Sequence, residues 1–283
     1  MAEVFLTQNM RSNLLSLQQT ADLVSRTQGR LSSGLRVASA LDDAVAFFTS
    51  KSLSEKASDF AEKKDNIDQA ISTLKVANNA TEAVDSLLKQ MKGIAINAKN
   101  SSDAEQKSLR DQFNELAGQV NRLIGDAVYN GINLVEKSTD NMVIQFSSKS
   151  TSQFKITGQN LRASKLLGLT VGVSLAATRL AAAAWSSAAT SLFDSVITKV
   201  NAAIDSVRGA AKTLGSNVSL LQTRLNFSKL HVNALSEGSD KLRLADLNEE
   251  GANLLALQTR QQLGFQSLAL AGQAEQQILT LFR

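Results

Sequence analysis

The sequence predicts a mainly α-helical protein, a long antiparallel helical hairpin or coiled-coil bundle with a small β-hairpin region. Three observations support this prediction. The 283-residue chain contains no proline, whereas an average usage of about 5% would give roughly fourteen, and proline breaks helices. Apolar residues recur at heptad spacing at both ends of the chain. Near the middle, a short stretch instead shows the alternation of apolar and polar residues that is typical of strands.

The first predicted helix begins near Met10 and carries a seam of apolar residues. These residues alternate four and three positions apart, with Gln28 in one slot, which indicates a helix packed lengthwise on a partner helix. The apolar members of the seam are Met10, Leu14, Leu17, Ala21, Val24, Leu31 and Leu35.

The C-terminal segment is predicted to supply the partner helix. It follows the same spacing through Leu247, Leu254, Leu257, Leu268, Ala271, Ile278 and Phe282, with Glu250, Gln261, Gly264 and Glu275 in the other slots. Between Gly251 and Arg283 only Arg260, Glu275 and Arg283 are charged, so the helix lacks a strongly solvated face. We therefore predict an assembly interface formed by Leu14, Leu17, Val24, Leu31, Leu35, Leu254, Leu257, Leu268, Ile278 and Phe282.

Between these ends, a second long helix is expected from Phe47 to about Lys99. The segment Asn100-Ser101-Ser102-Asp103 predicts a break and an N-cap before a third helix that reaches Val128. A turn is predicted at Tyr129-Asn130-Gly131. Because Met142, Ile144 and Phe146 alternate, as do Phe154 and Ile156 after a polar stretch, a β-hairpin is expected there.

The rest of the middle is expected to be a glycine-punctuated connection from Leu161 to Leu175. Helix is then predicted from Ala176, more securely from Leu192, to about Leu235. The Ala-rich stretch from Leu175 to Ala189 contains Arg179 and is too short to span a bilayer. We therefore predict no membrane insertion.

Composition argues against several classes of function. There is no cysteine, so disulfides and thiol chemistry are excluded. The net charge of +4 comes from basic residues interleaved with acidic ones, and the chain has one Trp and one Tyr. A nucleic-acid partner is therefore not expected. The N-terminus shows no basic segment followed by an apolar run, so a cleavable secretory signal is not predicted.

Two sets of polar residues admit a chemical interpretation beside a structural one. The adjacent Asp42 and Asp43 follow a break at Gly34; they could favour the first turn of a helix or bind a metal, and the first interpretation is favoured because no His or Cys lies near. His231, the single histidine, lies among apolar residues of a predicted helix. We favour a structural role for it over catalysis or metal binding, and expect a protein that is not an enzyme and has no cofactor.

The C-terminal helix is rich in glutamine, including Gln262 and Gln266. Glutamine is a good helix former and needs no further role. Its amides would also let a helix of low charge face a water-filled lumen or bond to neighbouring subunits without burying charge. The second interpretation is favoured.

Three segments resemble bacterial flagellins. A flagellin-like pattern runs from Arg30-Leu31-Ser32-Ser33-Gly34-Leu35-Arg36 to Asp42-Asp43-Ala44. A second motif is matched by Tyr129-Asn130-Gly131-Ile132-Asn133-Leu134, and a third by the ending Ile278-Leu279-Thr280-Leu281-Phe282-Arg283. The family motif residues in this chain are Arg30, Leu31, Ser32, Gly34, Arg36, Asp42, Asp43, Asn130 and Gly131.

The resemblance implies a structural subunit of the helical flagellar filament that serves swimming motility. It implies D0 terminal helices in the inner tube, residues 1–45 and 245–283, and a D1 helical domain with the β-hairpin, residues 46–160 and 190–244. Residues 161–189 would form a short variable connection, so the protein would be a minimal flagellin with little or no outer domain.

The resemblance also implies partners and a location. The partners would be many copies of the same chain, sister flagellins, the hook–filament junction and cap proteins, and a flagellar export chaperone. Type III export would place the protein outside the cell, in the flagellum. Two alternatives are a hook–filament junction protein, whose C-terminus usually lacks the ending seen here, and an enzyme displayed on a flagellin scaffold, for which the middle region is too short.

Overall fold

The computed structural model describes residues 8–147, 149–167 and 190–281. Six helices and two strands follow one another within these ranges. They are α1 Gln8–Ser33, α2 Ala44–Lys99, α3 Asp103–Asp126, β1 Asn141–Gln145, β2 Gln153–Thr157, α4 Ala163–Leu166, α5 Thr190–Arg243 and α6 Leu247–Leu281. The predicted class, mainly α-helical with a small β-hairpin region, is confirmed.

Contacts within the chain divide it into two compact units. Unit 1 comprises Met1–Ala57 and Asn233–Arg283, and unit 2 comprises Ser58–Val232. Helices α2 and α5 each contribute residues to both units. Unit 1 therefore joins the two ends of the chain, as the paired heptad seams predict.

Unit 2 is built around one continuous hydrophobic core. Residues with no exposed surface come from α2, α3 and α5 and include Val135 between α3 and β1, and residues of the β-hairpin close the cluster. Ion pairs from Lys99 to Asp194 and from Arg208 to Asp85 join α2 to α5. Because residue numbers fall along α2 as they rise along α5, the two helices are antiparallel. The largest fully buried side chains in this unit include Phe193, Ile67, Leu74, Leu88, Met91 and Ile124.

The strands β1 and β2 pair antiparallel, with Met142 opposite Ile156 and Ile144 opposite Phe154. Alternate residues of β1 are buried, which matches the alternation in the sequence. Gly158 follows β2 where the backbone passes very close to another segment: a Cβ there would lie 2.4 Å from the carbonyl oxygen of Lys137. Only glycine fits this approach.

Helix α1 ends at Ser33, at the predicted break, because Gly34 adopts a positive φ of 71°. Other boundaries differ from the sequence-based predictions. Helix α2 begins at Ala44 instead of Phe47, and α3 ends at Asp126 instead of Val128. Helix α5 extends to Arg243 instead of ending near Leu235. The short helix α4 lies in a segment that was expected to be connection.

The remainder of that connection, residues 168–175, lies outside the described residues, as does the helix expected to begin at Ala176 up to residue 189.

Candidate assembly surface on the terminal helices

Helices α1 and α6 pack against each other in unit 1. Leu17 approaches Gly264, Met10 approaches Gly272, and Arg30 pairs with Glu250. Since residue numbers rise along one helix while they fall along the other, the pair is antiparallel. A Cβ at position 264 would lie 2.7 Å from a methyl carbon of Leu17, so glycine permits the close approach of the two helices.

On α6 the residues turned toward α1 follow the predicted heptad from Glu250 onward, whereas Leu247, its first predicted member, is exposed. Leu254, Leu257 and Leu268 are half-buried, and so are Gln261 and Gly264 in the slots between them. Glu250, which begins the stripe, is buried. The side chain of Ile278 and the whole of Phe282 lie outside the described residues.

On α1 the seam differs from the predicted one at Leu14 and Leu31. Leu17 is buried and Val24 is half-buried, whereas Leu14 and Leu31 are more than a third exposed. Thr20 and Thr27 are buried, at positions that were not predicted to face the partner.

A local hydrogen bond explains how a threonine can lie in this seam. The Thr20 hydroxyl donates to the Ser16 carbonyl oxygen at 2.8 Å, so its polar atom is satisfied within the helix and its methyl group can pack. A search for apolar residues alone misses such positions. The spacing of the threonines, seven residues, was the available signal.

The face of α6 opposite this seam carries leucines and amides. At about 100° per residue, six exposed residues fall on one stripe that points away from α1. This stripe, the amide face, consists of Leu255, Thr259, Gln262, Leu263, Gln266 and Leu270. It contains no charged side chain. The predicted amides Gln262 and Gln266 thus lie exposed between large apolar side chains.

Large apolar side chains are exposed in unit 1 more often than in unit 2. Besides the leucines of the amide face, they include Leu15, Leu23, Val45, Phe48 and Phe265, and Leu41 is 98% exposed. Unit 2 is larger but exposes fewer than half as many. On the amide face these side chains are neighbours on one stripe, and contiguous exposed apolar surface is characteristic of a surface that another protein covers.

The Arg30–Ala44 motif forms a structural connection within unit 1, which we term the clasp. Gly34 leaves the helix with positive φ, and Leu35 forms an isolated bridge with Leu244. The backbone N–H of Arg36 donates to the Arg243 carbonyl oxygen at 2.7 Å. The clasp therefore supplies hydrogen-bond partners to the C-terminal end of α5.

Arginines of the motif fasten the same region. The Arg30 guanidinium donates to the Glu250 carboxylate at 3.0 Å, and Arg36 donates to the Leu242 carbonyl oxygen at 3.0 Å. Leu35 is half-buried, and Ser32 is exposed in the last turn of α1.

The two aspartates of the motif stabilise backbone. The Asp42 carboxylate accepts hydrogen bonds from the Ala38 and Ser39 backbone N–H groups at 3.1 and 2.9 Å. These bonds, that of Ser39 first, lower the pKa of Asp42 from its ordinary value. Asp43 precedes α2 and accepts from the Ala46 N–H at 2.9 Å, as an N-cap does. Each carboxylate thus serves the backbone beside it.

The second motif forms a tight turn in unit 2. Asn130 and Gly131 both have positive φ, 49° and 77°, as a type I′ turn requires. Asn133 is buried, donates to the Ile124 carbonyl oxygen at 2.7 Å and accepts from the Val135 N–H at 3.0 Å. The motif therefore joins the end of α3 to the chain that leads into the hairpin.

The chemical interpretations of the polar residues find no support among the described residues. His231 packs edge-on against Phe60, with ring centroids 4.6 Å apart, and stacks on Phe227. Within the described ranges no group of three or more metal-ligating side chains comes together, and none of the helices there has the length and hydropathy of a membrane span.

Two family models match the chain. The model described as the bacterial flagellin N-terminal helical region matches residues 5–140, and the bacterial flagellin C-terminal helical region matches residues 197–282. Together they cover most of the sequence, including every segment of unit 1 that the structure describes.

Curated relatives match over nearly the full length. The chain is 31% identical to flagellin FljO of Caulobacter vibrioides, over 95% of this chain and 94% of the relative. It is 24% identical to a flagellin of Brucella melitensis, with 100% of both chains covered. Among solved structures, a putative flagellar hook-associated protein from Vibrio parahaemolyticus has a TM-score of 0.60 at 15% identity, covering 72% of this chain and 100% of that one. At that identity the likeness concerns the fold alone.

Proposed function

Because the chain belongs to the bacterial flagellin family, as a structural subunit of the flagellar filament, we propose that its terminal helices are the part that builds the filament's inner tube. In this proposal residues 1–45 and 245–283 form D0 and residues 46–160 and 190–244 form D1. Residues 161–189 form a short variable connection.

The observation that carries this proposal is the amide face of α6. An exposed stripe of leucine and glutamine without charge is poorly suited to permanent contact with water. It is well suited to neighbouring subunits, because leucines bury apolar area and amides form hydrogen bonds without the cost of desolvating a charge. Gln262 and Gln266 would then bond to adjacent copies or to water in the lumen.

The remaining seam residues have a second role in this proposal. Leu14 and Leu31 are exposed beside the α1–α6 seam, and they would be covered by helices of neighbouring copies. Leu17, Val24, Leu254, Leu257 and Leu268 would hold the pair together. Ile278 and Phe282 extend the same heptad in the sequence and would continue the interface.

We further propose that the α1–α6 pair becomes fully ordered only on polymerisation. A single helix pair with one seam buries little area against the conformational entropy of ordering about sixty residues. Contacts with other copies would add the missing burial. In the free subunit, these helices would open more readily than unit 2.

The partners follow from the family. The subunit would polymerise with many copies of itself and with sister flagellins, and it would meet the hook–filament junction and cap proteins at the filament ends. An export chaperone and the type III route would deliver it outside the cell without signal cleavage. Its role would be structural rather than enzymatic.

The hook–filament junction alternative is not favoured. Full-length relatives of this chain are flagellins, whereas the hook-associated structure resembles it in fold only.

Seeded assembly of the purified protein, viewed by electron microscopy, tests the proposal. Wild-type protein should form filaments. The double variant Leu255→Lys/Leu270→Lys should form none, because it places two charges per copy on the amide face. The matched control Val143→Lys adds a charge to an exposed position of β1 and should assemble. Normal filaments from the double variant would contradict the assignment of the amide face to the tube.

A further inference from the structure

A second uncovered apolar stripe lies on α5, within unit 2. Its residues are spaced three, four and three positions apart, so that they line one face of the helix. This stripe, the α5 ridge, consists of Leu220, Thr223, Phe227 and Leu230. Leu220 is 41% exposed, Phe227 is 56% exposed and Leu230 is 70% exposed.

The α5 ridge points away from the core of unit 2. The neighbouring residues Leu221 and Leu225 are buried, and at about 100° per residue the ridge lies on the opposite side of the helix from them. The Phe227 ring is held by stacking on His231, with centroids 5.8 Å apart and an interplanar angle of 10°. An ordered aromatic side chain loses little entropy when a partner covers it.

A groove of complementary character lies between α2 and α3 of the same unit. Its volume is about 730 Å³, and small residues form much of its apolar wall. Its walls include Ala80, Ala83, Leu87, Arg122, Leu123 and Asp126. This α2–α3 groove has the dimensions and the lining that receive one apolar helix face.

We propose that the α5 ridge of one subunit packs into the α2–α3 groove of a second copy of this chain. The proposal rests on the chain being a filament subunit. Phe227 and Leu230 would be the anchors, and alanines of the groove would let the helices approach closely.

Charge supports this pairing. Arg122 and Asp126 both line the groove. The Arg122 guanidinium pairs with Glu115 at 2.6 Å, whereas the Asp126 carboxylate makes no ion pair with any described residue. Arg224 is exposed one turn from Leu220 along the ridge, with its guanidinium 5.0 Å from the centre of the Phe146 ring. An Arg224–Asp126 pair across the interface would fix the register of the two copies.

The two surfaces cannot meet within one subunit. Phe60 contacts His231 and Asp85 pairs with Arg208, so Leu230 lies level with the start of α2 in this unit. At 1.5 Å per residue, Ala83 is about 30 Å further along the helix.

A ridge and a groove at different places on one unit make a head-to-tail contact. Such a contact leaves a ridge free on one copy and a groove free on the other, so it adds copies without closing unless the rotation completes a ring. The α5 ridge and the α2–α3 groove therefore fit the growth of an open helical polymer. Because the chain is a subunit of a helical filament, a second copy is the occupant of the groove in this proposal.

Disulfide trapping tests the contact, because the natural chain contains no cysteine. The double variant Leu230→Cys/Ala83→Cys should give, in filaments oxidised after assembly, a ladder of covalent oligomers that reduction removes. The matched control Leu230→Cys/Lys107→Cys places the second thiol on an exposed part of α3 outside the groove and should give no ladder. Filaments that give no more ladder than the control would overturn the proposal.

A second variant keeps the test independent of cysteine geometry. Phe227→Ala/Leu230→Ala should raise the concentration needed for polymerisation roughly tenfold or more, as expected when buried apolar side chains are truncated. The thermal transition of the monomer should stay unchanged, and Val143→Ala should polymerise normally. If wild-type protein forms no filament, the filament function itself fails. If wild-type and double-alanine proteins polymerise equally, only the ridge–groove contact fails.

Discussion

Unit 1 and unit 2 both consist mainly of long helices, but they differ in which side chains are buried. In unit 2, α2, α3, α5 and the hairpin share one core with many fully buried side chains. In unit 1, the buried residues include Leu17 and Val37 but also Thr20, Thr27 and Glu250, while large leucines remain exposed. Unit 2 therefore has the burial of a domain that folds by itself, whereas unit 1 has the burial of one part of a larger assembly.

The largest expected effect comes from removing part of unit 1. Deleting residues 273–283 should abolish filament growth, because it removes the end of α6 and its share of the tube contacts. The thermal unfolding of unit 2 should remain, since its core contains no residue of this segment. Sedimentation of polymer and circular dichroism of monomer measure the two results. Filaments of normal length from the truncated protein would show that the difference between the units has no bearing on assembly.

Alanine substitution of one leucine in each unit should change monomer stability by very different amounts. Leu88→Ala in unit 2 should lower the free energy of unfolding of the monomer by about 2–5 kcal/mol, because Leu88 is fully buried. Leu255→Ala in unit 1 should change it by less than about 0.5 kcal/mol, because Leu255 is 71% exposed.

For assembly, the variant with the larger expected effect is the other one. Leu255→Ala should raise the critical concentration, and Leu88→Ala should leave it nearly unchanged wherever the variant remains folded. Denaturant titration and sedimentation give the two quantities. Equal effects of both variants on monomer stability would contradict the contrast in burial.

A change at the α1–α6 seam should show how tightly this pair packs. Gly264→Val should weaken the pair by about 1–3 kcal/mol through overpacking, because a side chain there meets Leu17. Gly251→Val is the control, since nothing lies within 4 Å of a Cβ at that position of the same helix. Limited proteolysis should cleave the first variant faster within α1 and α6. Equal cleavage of the two variants would contradict the close packing of α1 against α6 at Gly264.

Charge on the amide face should affect filaments more than charge on unit 2. Gln262→Glu or Gln266→Glu should reduce filament yield severalfold and lower filament melting, because like charges repeat at short distances along a tube. Gln222→Glu alters an exposed glutamine of α5 in unit 2 and should have little effect. Filament yield and calorimetry provide the measurement. Indistinguishable yields would argue that these amides face only solvent.

The smallest expected effect is on pH dependence within the clasp. Hydrogen bonds lower the pKa of Asp42 in the folded state, so its contribution to stability is present above the ordinary aspartate pKa and is lost as pH falls through the lowered value. At pH 7, Asp42→Asn should therefore melt slightly earlier than wild type. The difference should shrink as the pH falls through the lowered pKa of Asp42. If Asp42→Asn still melts earlier than wild type in acid, the charge of Asp42 is not what stabilises the clasp.

The class of fold, the family and most of the elements could be predicted from the amino-acid sequence. The absence of proline permits long helices, the heptad of α6 places Leu254, Leu257 and Leu268 on one stripe, and alternation specifies the hairpin. These features are local: each depends on the spacing of neighbouring residues, which the chain displays directly. The same is true of the Asn130-Gly131 turn, where two residues suit positive φ.

Which surfaces stay uncovered, and where some elements end, depends on contacts between distant segments and could not be predicted. Helix α5 continues to Arg243 because its end is capped by Arg36, a residue far away in the sequence. Thr20 and Thr27 enter the seam because a threonine in a helix can satisfy its own hydroxyl. The α5 ridge shares its residue types with any core-facing stripe, so its exposure could not be predicted. Local spacing tells which residues share a face, but what covers that face depends on contacts between segments distant in the chain.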